Sequence, residues 1–315
     1  MTTPERFSCT PASLQRGEPL AGTATHVRTW LLLEHSGAWG SKALRDARLP
    51  EGLGPALQQL AVRHKAKVLL IRRPRAARDP DRLNVFAAYS DPTRSRLEHG
   101  TVADAREVLD LDLAGFRAGG SSGLDPTTDP IFCVCTNGRH DACCAEFGRP
   151  AALALHAAHP ELTWEVSHIG GDRFAGNMVV LPHGLYYGRL DVGSAVTVAD
   201  AHLSDALDLD YFRGNSSYPM PVQAAEIELR RKLGLTDLTG VTLRSRQVDG
   251  DLTVATFDTP VGRYRVRLLT ILDPATATRL TCNALRDNPV PRHELLSVET
   301  LTRVVEVPRS GLETT

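Results

Sequence analysis

The chain has no excess of positive charge and no long apolar segment. Its formal net charge is -1, whereas proteins that bind nucleic acids or anionic membrane surfaces carry a basic excess, so we expect neither partner. No window approaches the roughly 18 apolar residues of a transmembrane helix. The N-terminal residues also lack the apolar run of a secretory signal. Together these features predict a soluble, cytoplasmic protein.

Sulfur is scarce as well, but it is unevenly distributed. The 315 residues include six cysteines and three methionines, and four of the cysteines fall between positions 133 and 144. In a reducing compartment, thiols at this density are more often metal ligands or redox groups than structural disulfides. The cluster therefore predicts a metal site. Cys9 and Cys282 are isolated in the sequence and give no such indication.

Apolar runs and turn signals predict two successive α/β units. The first unit consists of a strand, a helix, a strand, a hairpin and a helix, at 27–33, 53–63, 67–71, 84–98 and 103–111. The second unit repeats this order at 131–134, 151–158, 163–166, 177–190 and 198–207. The shared order is that of thioredoxin-like domains, so the fold class predicted is α/β with two tandem thioredoxin-like domains.

A short identity also favours duplication. The five residues at 101–105 and those at 197–201 are both Thr-Val-Ala-Asp-Ala, and they fall at corresponding places in the predicted order. We therefore predict a degenerate thioredoxin-like domain without cluster ligands at 1–118 and a ligand-bearing one at 125–212. Residues 213–315 form the remainder, with an amphipathic helix at 222–233 that ends at Gly234 and a small β-rich appendage of half-exposed strands.

The segments Cys135-Thr-Asn-Gly-Arg-His-Asp-Ala-Cys-Cys144 and His168-Ile-Gly-Gly-Asp-Arg-Phe-Ala-Gly-Asn177 carry a resemblance to a known family. This region is similar to thioredoxin-like 2Fe-2S ferredoxins and resembles more closely the sucrase/ferredoxin-like family, which includes the fungal actin-patches-distal protein. Residues 18–24 and 30–34 also resemble bacterial members. The resemblance implies a thioredoxin-like fold to about residue 212, a bound 2Fe-2S cluster and electron exchange with a protein partner.

The resemblance also implies a set of ligands. It places Cys135 and Cys144 on one iron and His168 on the other. The fungal members have His-x-x-x-His, whereas this chain has Asp172 at the position of the second histidine. Carboxylates bind clusters of this kind less often than thiolates and imidazoles do. Three candidates therefore remain for the fourth position: Asp172 itself, a neighbouring cysteine, or a solvent molecule.

The neighbouring cysteines are Cys133 and Cys143. Cys133 lies on a predicted strand, where a small buried apolar role is the simpler interpretation. Cys143 precedes a predicted ligand, and adjacent cysteines in a tight loop rarely both face one metal. We predict a surface position for His140 in the same loop.

Two other functions would use the same residues. A thiol-based oxidoreductase or redox sensor would use Cys135, Cys143 or Cys144, although no Cys-x-x-Cys opens a helix here. Two cysteines, one histidine and one aspartate would also form an acceptable structural zinc site. No pair of glycosidase carboxylates is recognisable, so sucrase activity is not expected. We favour a non-catalytic electron carrier or redox sensor, in which imidazole ligation raises the cluster's potential.

Overall fold

The computed structural model describes residues 7–75 and 82–303 and has a mixed α/β architecture. A large mixed sheet is separate from a small antiparallel sheet. Within the described residues the helices are α1 (Cys9–Gln15), α2 (Ala43–Asp46), α3 (Leu53–His64), α4 (Leu113–Ala118), α5 (Ala142–Ala158), α6 (Val192–Leu203) and α7 (Met220–Leu233). In these two ranges, no helix combines the length and apolar character needed to cross a membrane.

Several strands of the large sheet form where apolar runs of the sequence become buried. In chain order the strands of this sheet are β1 (Thr29–Glu34), β2 (Ala66–Arg72), β3 (Leu83–Tyr89), β4 (Arg96–Val102), β5 (Asp125–Thr127), β6 (Ile131–Cys135), β7 (Thr163–Val166), β8 (Met178–Leu181), β9 (Leu185–Tyr187) and β10 (Phe212–Asn215). Those that form from buried apolar runs include β1, β2, β3, β6, β8 and β9. The central strands β6 and β7 are buried along their whole length. This is expected of strands that are covered on both faces.

The large sheet contains the same strand order twice. Its full order is β10-β9-β8-β6-β7-β2-β1-β3-β4-β5. β1 is parallel to β2 and β6 is parallel to β7, while the β1/β3, β3/β4, β6/β8 and β8/β9 pairs are antiparallel. Antiparallel pairing of β2 with β7, through Ile71 with Val166 and Arg72 with Glu165, joins the two halves. The predicted order of strands is confirmed, and the two halves share one continuous sheet.

One hydrophobic cluster spans the junction of the halves and supports the candidate site. Buried side chains from both halves contribute to it, among them Trp30, Leu32, Leu69, Ile71, Trp164 and Val166. Cys133, Cys135 and Cys144 belong to the same cluster. Burial of each large apolar side chain stabilises the fold by about 1.5–3 kcal/mol. The first half therefore supplies part of the core on which the cysteines of the second half rest.

Helix α5 begins nine residues earlier than the sequence suggests. The predicted helix starts at position 151, where the sequence is rich in alanine. In the structure α5 starts at Ala142 and continues through Pro150, and the side chain of Asp141 caps it by accepting a hydrogen bond from the Cys143 N–H. The predicted cysteine loop is thus partly wrong: Cys143 and Cys144 lie in the first turn of a helix.

The repeated pentapeptide does not occupy equivalent places in the structure. Residues 101–105 run from the end of β4 into a 3-10 turn, whereas residues 197–201 lie inside α6. α6 itself also begins before the predicted position 198. The prediction of matching positions is wrong, since an identity of five residues is too short to fix a conformation against its surroundings. The matched strand order remains as the evidence of internal similarity.

The C-terminal region forms a helix and a small sheet. α7 ends at Leu233, with Gly234 in the left-handed conformation (φ 68), as predicted. The sheet strands are β11 (Thr242–Asp249), β12 (Leu252–Thr259), β13 (Gly262–Ile271) and β14 (Arg292–Arg303). β12 alternates buried and half-exposed residues as expected. β11 escapes prediction because its charged residues are largely exposed and give no apolar alternation.

The buried histidine His202 on α6 gives a stability prediction. Burial lowers the pKa of His202 to about 3, and its ring packs edge-on against Phe132. Below about pH 6.5 the His202 ring therefore binds a proton in the unfolded chain but not in the folded chain. The free energy of unfolding should fall as the pH drops from about 6.5 towards 3, by up to about 1.4 kcal/mol per pH unit. Urea unfolding of the wild type and of His202→Gln between pH 7 and 4 tests this. Equal pH slopes in the two proteins would contradict it.

Candidate metal centre

Two of the predicted ligands lie where strand β6 meets helix α5. Cys135 is the last residue of β6 and Cys144 lies in the first turn of α5, and both side chains are buried. The helix approaches the strand end closely at Gly148, where a Cβ atom would lie 2.1 Å from the Cys135 carbonyl oxygen. The two thiols face each other across this contact, since each shifts the pKa of the other.

The other two ligands come from the loop after β7. Nδ1 of His168 lies 3.2 Å from Oδ1 of Asp172, and the Cys144 thiol donates to that same oxygen at 3.2 Å. The loop needs glycine at two positions, because Gly170 and Gly171 have φ of 103 and 80. All four predicted residues are therefore brought to one place, with Asp172 linking the thiol side to the imidazole side.

His140 also belongs to this site, which the sequence did not predict, and its side chain is 29% exposed. Its Nε2 lies 3.4 Å from Oδ2 of Asp172, and its ring lies over that of His168 with centroids 3.7 Å apart. Ligand atoms of His140, His168 and Asp172 all lie within 4.8 Å of one another. Its place between Cys135 and Cys144 in the sequence was the available signal. A polar residue in a short ligand loop is brought to the metal as readily as it is exposed.

The two candidate substitutes for Asp172 lie elsewhere. Cys133 is buried two residues back along β6, in the hydrophobic cluster, and burial raises the pKa of its thiol. Cys143 is adjacent to Cys144 but on another side of α5, where its sulfur contacts Ser8, Thr10 and Cys282. Neither thiol is among the contacts of His168 or Asp172 in the described part of the chain.

The site holds opposite charges in contact. Burial alone would raise the pKa of Asp172, but His140 and His168 outweigh it and hold that pKa well below its usual range. Burial alone would lower the pKa of His168, but contacts with Asp172 and Cys135 raise it to about 9. Contact with Cys144 and His168 lowers the pKa of the Cys135 thiol against the effect of burial. At neutral pH the site therefore contains a thiolate, a carboxylate and an imidazolium.

The inner nitrogen of His168 supplies a test of metal binding. Nδ1 is buried and makes no hydrogen bond among the residues that the structure describes, although it lies 3.2 Å from Oδ1 of Asp172. A buried polar atom left without a partner costs about 1–3 kcal/mol. Coordination of a metal by Nδ1 would satisfy it, and thiolate, imidazole and carboxylate donors suit iron or zinc. The residues present therefore fit a metal centre.

A buried arginine packs against the loop that carries His168 and Asp172. Arg213 on β10 is fully buried and donates from Nη1 to the Gly170 carbonyl at 3.1 Å and to Oδ1 of Asn177 at 2.8 Å. Its Nη2 would lie 2.1 Å from a Cβ atom at position 171, so the loop folds onto it only with Gly171. Burial lowers the pKa of Arg213 to about 10, so it stays charged at neutral pH. Sequence reasoning missed it because a charged residue in a short strand usually indicates exposure.

Comparison with known protein families identifies the family to which this chain belongs. The family model described as sucrase/ferredoxin-like matches residues 20–214. The chain belongs to the sucrase/ferredoxin-like family. The match contains all four predicted ligands, His140 and Arg213, and the family description is consistent with a redox-related role. No curated protein and no solved structure matches the chain.

Proposed function

We propose that this sucrase/ferredoxin-like protein binds a 2Fe-2S cluster and serves as a one-electron carrier or redox sensor. Cys135 and Cys144 would hold one iron, and His168 and Asp172 the other. The observation that carries the proposal is the convergence of the four donors: Oδ1 of Asp172 lies 3.2 Å from both the Cys144 sulfur and Nδ1 of His168, and Cys135 and His168 each shift the pKa of the other. When bound, the cluster would supply a centre that takes up and releases single electrons.

The residues around the site would affect the charge of the cluster and the docking of a partner. Arg213 places positive charge near the thiolates, since the charges of Cys135 and Asp172 act on its pKa. Buried positive charge offsets the negative charge of a thiolate-bound cluster and favours its reduced form. The side chains of His140 and His168 are 29% and 30% exposed. We infer that a protein redox partner docks over these two rings.

The fourth ligand is proposed to be Asp172, with His140 as its outer neighbour. Asp172 is nearly fully buried, and its Oδ1 contacts both Cys144 and His168. We expect Asp172→Ala to lower bound iron at least tenfold, Asp172→His to retain it, and the matched variant His140→Ala to retain most of it. The test is the amount of iron bound per folded chain in each of the three variants. Loss of iron in His140→Ala with normal iron in Asp172→Ala would make His140 the ligand instead.

A thiol oxidoreductase is the alternative that one observation favours, because the lowered pKa of Cys135 beside Cys144 is also what a reactive thiol pair requires. The deciding experiment is the visible absorption spectrum of freshly purified protein, together with assays for iron and acid-labile sulfide. A cluster gives colour with two irons and two sulfides per chain. Colourless protein without sulfide would contradict the proposal, leaving zinc or free thiols at these residues.

We also propose that the two halves are tandem thioredoxin-like domains, at 1–118 and 125–212, followed by residues 213–315. The repeated order of four strands supports this, and only the second half supplies the cluster ligands. The proposed setting is the cytoplasm, where thiols stay reduced. The near-neutral charge gives no support for a nucleic-acid partner.

A further inference from the structure

Three cysteines that are far apart in the sequence meet beside the first turn of α5. Cys9 is the first residue of α1, Cys143 lies on α5, and Cys282 lies in the loop between β13 and β14. The Cys282 sulfur is 3.4 Å from that of Cys143 and 3.5 Å from that of Cys9. Together with a carboxylate oxygen of Asp141, the three sulfurs all lie within 4.8 Å of one another.

We propose that Cys9, Cys143, Cys282 and Asp141 form a second metal site, which binds one thiophilic divalent cation, Zn²⁺ in particular. Tetrahedral zinc with bonds of about 2.3 Å separates its sulfur ligands by roughly 3.8 Å. The sulfurs here are close to that spacing, whereas a disulfide requires about 2.05 Å. The number of thiols also favours a metal, because any disulfide among the three would leave one of them unpaired.

The surroundings of the sulfurs suit thiolates. The backbone N–H of Thr10 donates to the Cys143 sulfur and that of Cys9 to the Cys282 sulfur, each at 3.5 Å. The Ser8 hydroxyl lies 3.1 Å from the Cys143 sulfur. Such donors stabilise sulfur ligands from outside the coordination shell and orient them. On binding zinc, each protonated thiol releases its proton to solvent.

Asp141 is held in place as the fourth donor. Its Oδ1 accepts from the Cys143 N–H at 3.0 Å and its Oδ2 from the Cys282 N–H at 2.6 Å. The Cys9 thiol is 3.6 Å from Oδ1. Cys9, Asp141 and Cys143 are fully buried, and Cys282 closes the remaining side. Four protein donors with little access to solvent are typical of a structural zinc site.

This site is separate from the proposed cluster. Cys143 and Cys144 are adjacent, but the first sulfur contacts Cys282 and the second contacts Asp172. Cys9 and Cys282 also lie outside the residues that the sucrase/ferredoxin-like model matches, 20–214. The ion would connect the N-terminal segment, the second half of the large sheet and the C-terminal unit. In this proposal the C-terminal region has a role in metal binding, because it supplies Cys282.

The test measures zinc and iron separately in the full chain, purified under reducing conditions without added chelator. We expect about one zinc per chain in the wild type. Cys282→Ser, which alters a partly exposed loop residue, and Cys9→Ser should each lose at least nine-tenths of it, while Cys144→Ser keeps the zinc and loses the iron. Cys133→Ser, a buried thiol outside both sites, should keep both metals. Circular dichroism confirms that each variant is folded.

Cobalt provides a second readout that does not depend on the metal acquired during expression. Both proteins in this titration carry Cys144→Ser, which removes a thiolate of the proposed cluster site. The metal-free protein with Cys282 intact should show thiolate-to-cobalt charge-transfer absorption when titrated with Co²⁺. The folded protein that also carries Cys282→Ser should show less than a tenth of that absorption at one equivalent. Zinc content that is unchanged in Cys282→Ser, or a wild type that takes up neither zinc nor cobalt at these residues, would overturn the proposal. So would a Cys9–Cys282 or Cys143–Cys282 disulfide in the reduced preparation. Absence of iron with zinc retained would contradict only the proposed function.

Discussion

Replacing Cys135 or Cys144 by alanine is expected to abolish cluster binding. Both sulfurs are buried at the contact between β6 and α5. Thiolates are the donors that hold bridged iron-sulfide clusters, so an iron left with one thiolate in this pocket is not retained. Iron and sulfide per chain should fall to background, and the visible absorption should disappear.

Cys133→Ala is the matched control for these variants. It removes a buried thiol from the same strand, two residues from Cys135, and from the same hydrophobic cluster. We expect it to retain the colour and iron content of the wild type, because its sulfur lies away from His168 and Asp172. Normal colour in Cys135→Ala or Cys144→Ala would contradict the ligand assignment. Loss of colour in Cys133→Ala as well would show that packing, rather than ligation, decides retention.

The parts of the fold that could be predicted are those determined by a few neighbouring residues in the sequence. β7 was predicted with its observed bounds because Thr163–Val166 is a short run rich in β-branched and aromatic residues. The end of α7 was correct because Gly234 adopts a left-handed conformation that other residues rarely accept. The resemblance of two short segments to the sucrase/ferredoxin-like family also selected four ligand candidates that the fold brings together. Each of these signals acts over a few neighbouring residues.

The remaining features depend on contacts that no short stretch encodes. α5 starts before its predicted position because Asp141, an overlooked capping signal, begins the helix and the helix continues through Pro150. Cys9 and Cys282 are separated by 273 positions, and only the folded chain brings their sulfurs within 3.5 Å. Charged side chains usually indicate exposure, yet Arg213 is buried because neutral acceptors of the ligand loop surround it.

Arg213 is therefore the residue at which the fold and the candidate site depend most directly on each other. Arg213→Met is expected to destabilise the metal-free protein by about 3 kcal/mol or more, since it leaves the Gly170 carbonyl, Oδ1 of Asn177 and the Thr23 carbonyl without their charged donor. This corresponds to a melting temperature lower by roughly 6–12 °C. Thermal unfolding monitored by circular dichroism measures it.

The same substitution should lower iron retention, because the loop that carries His168 and Asp172 loses its support. Arg213→Lys keeps the charge but cannot reproduce the planar set of donors, so an intermediate loss of stability is expected. Arg230→Met removes another buried arginine, one paired with Glu226 on α7, and it should destabilise the protein while leaving iron per folded chain unchanged. Two results would show that Arg213 does not hold the ligand loop: a melting temperature of Arg213→Met within about 2 °C of the wild type, or an equal loss of iron in Arg230→Met. The loop would then be positioned by its glycines and by Asn177 alone.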